Sequence, residues 1–119
     1  MRKPHILVCD DQLGIRNALR LILENSYTLD FGQNGKDAVD YLRTKEADLL
    51  IMDIKMPQKN GIDALTEIKK MKPQQKILII TGYESYDVAT EAIRAGANDY
   101  LTKPFEREMV QQKVAELLS

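Results

Sequence analysis

Three short runs, Ile6-Leu7-Val8-Cys9, Leu49-Leu50-Ile51-Met52 and Ile77-Leu78-Ile79-Ile80, are apolar at every position, with no polar residue alternating. A strand with one face in water alternates, so such runs suit strands covered on both faces, as in a parallel sheet packed between helices. Weaker strand candidates run from Tyr27 to Phe31 and from Asp99 to Thr102. Between them the spacing turns helical, with apolar stripes at Ile15, Leu19, Ile22 and Leu23, at Val39 and Leu42, and at Leu65 and Ile68. Two more stripes follow, at Val88, Ala92 and Ile93 and at Val110, Val114, Leu117 and Leu118. Breaks fall where turns and caps are expected, at Asn34-Gly35, Asn60-Gly61, Pro73, Ser85 and Gly96. Strand and helix therefore alternate five times. That order predicts an α/β fold, a doubly wound five-stranded parallel sheet with five helices, built as a single domain over residues 1–119.

A chain of 119 residues is long enough for one core without disulfide or metal staples. Its 44% apolar and 29% charged content is that of an ordinary globular domain. A net charge of -1 and the absence of a basic arm argue against direct nucleic-acid binding. The segment after Met1-Arg2-Lys3-Pro4 meets Asp10-Asp11 too soon for a signal sequence, and no run approaches the roughly 20 apolar residues of a membrane span. The expectation is a cytoplasmic protein with no membrane partner, in which Cys9 is a buried, reduced thiol.

Ligands of open parallel sheets bind beyond the carboxyl ends of the strands, where strand order reverses. Those ends read Asp10-Asp11, Gly32-Gln33, Asp53, Thr81 and Lys103. Three carboxylates gathered at one rim repel one another unless a cation joins them, and oxygen ligands without Cys or His point to Mg²⁺ or a similar hard ion. Thr81 offers a hydroxyl and Lys103 a mobile ammonium, as a charged, multi-oxygen group beside that metal requires. The set reads as a phosphoryl site. Each residue alone reads equally well as a turn, a cap or plain surface, and their common position at strand ends carries the reading.

At these residues the chain resembles the receiver domain of bacterial response regulators, which has the flavodoxin-like topology. The matching motifs are Asp10-Asp11, then Asp53 followed by Met56-Pro57 and Gly61, then Thr81-Gly82, and finally Lys103-Pro104-Phe105. Gln12-Leu13-Gly14-Ile15-Arg16, with Lys55 and Tyr83, is also similar to single-domain phosphorelay receivers of sporulating bacteria, from which Tyr100 departs.

The resemblance implies that Asp53 takes a phosphoryl group from a phosphohistidine of a sensor histidine kinase or histidine phosphotransfer protein. It implies that Mg²⁺ is held by Asp11, by Asp10 largely through water, by Asp53 and by the Lys55 carbonyl. Thr81 and Tyr100 correspond to the switch pair that remodels the surface of the fourth helix, fifth strand and fifth helix. Lys55 and Tyr83 correspond to positions over the site, where bulky side chains are expected to shield the acyl phosphate and slow its hydrolysis. Leu13 and Gly14 correspond to a surface that meets the phosphodonor, and Lys103-Pro104 to a bond often cis. His5, the only histidine, begins the first strand, on the opposite rim, and supplies no phosphohistidine. Such a domain catalyses only its own phosphorylation and dephosphorylation. It acts on a downstream protein when it stands alone, or on an attached effector when it is the excised receiver of a larger transcriptional regulator. A phosphatase of the haloacid dehalogenase type also uses a strand-end Asp, but needs a second carboxylate where this chain has Lys55. A flavodoxin-like cofactor binder needs a phosphate loop where Asp10-Asp11-Gln12 would repel one.

Overall fold

The computed structural model describes residues 2–54, 61–82 and 86–119, with the side chains of residues 86–88 set aside. Ten elements alternate: β1 His5–Cys9, α1 Leu13–Leu23, β2 Thr28–Gly32, α2 Gly35–Thr44, β3 Leu49–Asp53, α3 Gly61–Met71, β4 Ile77–Thr81, α4 Tyr86–Arg94, β5 Asp99–Thr102 and α5 Arg107–Leu118. The strands form one parallel sheet in the order β2-β1-β3-β4-β5. From β1 the chain first builds outward to β2 and then crosses to β3 on the other side. The order therefore reverses between the carboxyl ends of β1 and β3, where Asp10 and Asp53 stand.

The apolar runs are buried at every position because both faces are covered, and successive side chains simply divide between two cores. Leu7, Cys9, Leu50, Met52, Ile77 and Ile79 face α2, α3 and α4, meeting Val39, Leu42, Leu65, Ile68 and Ala92. Ile6, Val8, Leu49, Ile51, Leu78 and Ile80 face α1 and α5, meeting Leu19, Leu23, Val110 and Val114.

Four details refine the expectations. Strand β2 starts at Thr28 because the Tyr27 N–H still donates to Leu23 O at the exit of α1 (3.0 Å). On α4 the stripe differs from the one expected: Ala89 and Ala92 are buried, whereas Ile93 is 44% exposed. Ile93 lies about 100° round the helix from Ala92, beyond the strip that the two alanines bring close to the sheet. At Gly96 the φ of +117° stops α4 in a conformation that glycine alone adopts freely. Asn34 caps α2, accepting from Asp37 N at 2.8 Å, while Ser85 and Asn60 lie outside the described residues.

Candidate functional site

Four of the residues read from the sequence meet at the carboxyl rim. Asp10 follows β1 and is 2% exposed, Asp53 ends β3 at 6%, and Thr81 ends β4 at 1%. Lys103 follows β5 and reaches across the rim, its Nζ donating to Asp10 Oδ2 and to Asp53 Oδ2, both at 2.8 Å. A weaker donation goes to Gln12 Oε1 at 3.4 Å. The Lys103 N–H donates to Thr81 O at 2.8 Å, which carries the β4–β5 ladder on to the lysine. The Lys103-Pro104 peptide bond is cis.

Asp11 is exposed, yet it offers a carboxylate oxygen that lies, with one from Asp10 and one from Asp53, within a mutual 4.8 Å. The donor set is oxygen alone, from three carboxylates of which two, Asp10 and Asp53, share the Lys103 ammonium. Hard, charge-dense and partly open to water, this set fits a divalent ion such as Mg²⁺, which keeps several waters and accepts phosphate oxygens. Burial pulls the Lys103 ammonium toward a lower pKa, but the hydrogen bonds to Asp10 and Asp53 outweigh it and hold the pKa above the usual 10.5. The lysine therefore stays charged. Beneath the rim, burial pushes the Cys9 thiol up to about 12, with Asp37 and Asp10 adding to the shift, which leaves it a neutral core group.

The rest of the predicted set is spread more widely. Tyr100 on β5 is 39% exposed and borders a groove of about 610 Å³, shared with Thr102, Phe105 and Met109. Leu13, 62% exposed, and Gly14 open α1 beside the rim. Lys55 and Tyr83 lie outside the described residues. His5 sits at the amino rim, where its Nε2 is 2.7 Å from Tyr41 Oη and 3.2 Å from Asp30 Oδ2.

The sequence reading passed over two participants, Gln12 and Arg16. The Gln12 N–H donates to Asp10 Oδ1 (2.9 Å), and Arg16 Nη1 donates to Asp10 O (2.7 Å). A signal for Arg16 existed: helical side chains lean back toward the N-terminus, so an arginine in the first turns of α1 reaches the preceding strand end.

Comparison with known proteins gives a consistent result. Residues 6–115 match the response regulator receiver domain family. The Halobacterium salinarum chemotaxis protein CheY is 36% identical over 115 residues, which covers 96% of this chain and 96% of that protein. The Klebsiella oxytoca transcriptional regulatory protein ZraR is 38% identical over 96% of this chain, which spans only 26% of its length. Among solved structures, the CheY-like response regulator receiver domain protein of Methanospirillum hungatei superposes with a TM-score of 0.92 at 27% identity, covering 98% of this chain and 94% of that one.

Proposed function

The chain belongs to the response regulator receiver domain family, and on that premise we propose that Asp53 is its phosphoacceptor, loaded from a phosphohistidine of a sensor histidine kinase or a histidine phosphotransfer protein. The observation that carries the proposal is the Lys103 ammonium bound at 2.8 Å to both Asp10 and Asp53, at the sheet's switch point.

In this reading an Asp53 oxygen attacks phosphorus, a P–O bond forms and the P–N bond to the donor imidazole breaks. Asp11, Asp53, the Lys55 carbonyl and, largely through water, Asp10 would hold Mg²⁺, which when bound would neutralise charge on the transferring phosphoryl oxygens. Lys103 is already charged and close, so it can exchange a carboxylate oxygen for a phosphoryl oxygen without a change of protonation. Thr81 offers its hydroxyl to the same group, and Tyr100, beside its groove, is the partner through which that movement reaches the surface of α4, β5 and α5. Lys55 and Tyr83 shield the product from water. The chemistry is confined to the chain's own phosphorylation and dephosphorylation.

The output is a downstream protein or an attached effector domain, arrangements represented among the relatives by proteins the size of CheY and of ZraR. Among the described residues no helix is long and apolar enough to cross a membrane, in keeping with action in the cytoplasm. Intact-protein mass after incubation with a small acyl phosphate tests the assignment. One phosphoryl group is expected on the wild type with Mg²⁺, and none after chelation or in Asp53→Asn. Uptake by Asp53→Asn equal to the wild type overturns it.

A further inference from the structure

The geometry points to Arg16 as a positioning residue that sets Asp10 for metal binding through its main-chain carbonyl; the inference rests on reading the acidic rim as a cation site. Asp10 is tied at four atoms. Its N–H donates to Gly32 O (3.2 Å), Oδ1 accepts from Gln12 N (2.9 Å), Oδ2 accepts from Lys103 Nζ (2.8 Å), and the carbonyl accepts from Arg16 Nη1 (2.7 Å). Three of these ties belong to the sheet, the helix entry or the phosphoryl chemistry itself. The fourth is a cation placed beside a cluster of carboxylates, yet bonded to none of them among the described residues.

That choice of partner is the informative part. An arginine present to neutralise the cluster would take a carboxylate in its planar fork, and so would compete with a metal. Arg16 instead grips the neutral carbonyl at the turn from β1 into α1 and leaves the carboxylate oxygens to Lys103 and to an incoming ion. It fixes the turn from one side while Gln12 N–H and Lys103 fix the carboxylate from the other. Groups that orient a ligand without touching the metal typically change affinity roughly 10–100-fold when removed.

Positioning and simple charge predict opposite signs. Loss of a positive charge near the site tightens cation binding, whereas loss of the tie to the carbonyl weakens it. The experiment is titration of the full chain with Mn²⁺, reading the free ion by electron paramagnetic resonance, alongside the thermal midpoint by circular dichroism. Arg16→Gln is expected to raise the Kd roughly tenfold, and Arg16→Lys to recover part of the loss. An unchanged or lower Kd for a folded Arg16→Gln overturns the inference. If Arg16→Gln does not fold, Arg16→Lys decides alone: a Kd raised severalfold supports positioning and an unchanged one rejects it. A wild type that binds no Mn²⁺, or binds it as well after Asp11→Asn, overturns the metal-site reading and this inference together. Binding that needs Asp11 but ignores Arg16 overturns the inference alone.

Discussion

The two rims of the sheet each carry a hydrogen-bonded polar cluster, and they differ in charge balance. At the amino rim, Tyr41 Oη donates to Asp30 Oδ2 (2.8 Å) and lies 2.7 Å from His5 Nε2. The hydroxyl has one proton and gives it to Asp30, so the bond with His5 uses a proton on Nε2. The His5 and Tyr41 rings stack, Lys45 Nζ lies 5.1 Å from the centre of the Tyr41 ring, and Arg2 pairs with Asp48. Each carboxylate there has a neighbouring cation or hydroxyl. At the carboxyl rim three carboxylates gather, and two of them, Asp10 and Asp53, are almost fully buried and share Lys103. A balanced cluster ties elements together. One with more carboxylates than bonded cations among the described residues carries a surplus of negative charge that a metal ion would relieve, and that surplus makes it a place for chemistry.

The sharpest way to test this difference is Lys103→Met. Removing this ammonium leaves Asp10 and Asp53 buried without the partner they share, at a cost of about 3–5 kcal/mol when no metal is present. Mg²⁺ should restore much of that stability, and phosphoryl uptake at saturating metal should still fall by about 10²–10³ for want of the group that meets the transferring oxygens. Denaturant unfolding with and without Mg²⁺ reads the first effect and intact mass over time the second. Asp53→Asn moves stability the other way, because it relieves carboxylate repulsion while Lys103 keeps Asp10. If Lys103→Met is no less stable than wild type in chelator, the surplus-charge account of this rim is wrong.

Alkaline pH gives a smaller and graded test. The folded state holds the Lys103 proton more tightly than the unfolded chain does, so its contribution is complete below 10.5 and is lost as pH rises through the folded value. Cys9 acts in the same direction and earlier. The unfolded thiol gives up its proton from 9.0 while the buried one holds it to about 12, so stability declines as pH climbs between those values. Tyr41, raised to about 12 by burial and by its bond to Asp30, adds the amino rim's share above 10.0. Denaturation midpoints should begin to fall near pH 9.0, and Cys9→Ala should delay that onset. A midpoint in Cys9→Ala that falls in step with the wild type would remove the thiol from the account.

What the sequence disclosed follows the same division. The central strands were legible because burial on both faces leaves no polar residue in them, and Asp10, Asp53, Thr81 and Lys103 because a parallel sheet brings its strand ends to one rim. The edges are blurred: β2 mixes exposed and half-buried residues without a clean alternation, so the sequence places its start only to within a residue. Ile93 reads as part of the apolar stripe with Ala92, although helical rotation separates the two and leaves Ile93 exposed. The place of Arg16 in the first turns of α1 signals its reach toward the end of β1 but not its partner, a carbonyl, which every residue possesses and no residue type advertises. The His5, Tyr41 and Asp30 cluster joins residues 25 and 11 positions apart along the chain, and nothing in their spacing brings three separate elements together.

The least disruptive change is the most direct control on the comparison. Tyr41→Phe keeps the ring stacked on His5 and deletes only the hydroxyl, so two hydrogen bonds go while packing stays. Asp30 is half exposed and water can take up its lost bond, which limits the cost to about 1 kcal/mol. Mn²⁺ affinity and phosphoryl uptake should be unchanged, because the amino rim only fastens β1, β2 and α2 together. A fall in uptake larger than the small loss of stability would show that the two rims are coupled through β1, whose first residue is His5 and whose last precedes Asp10.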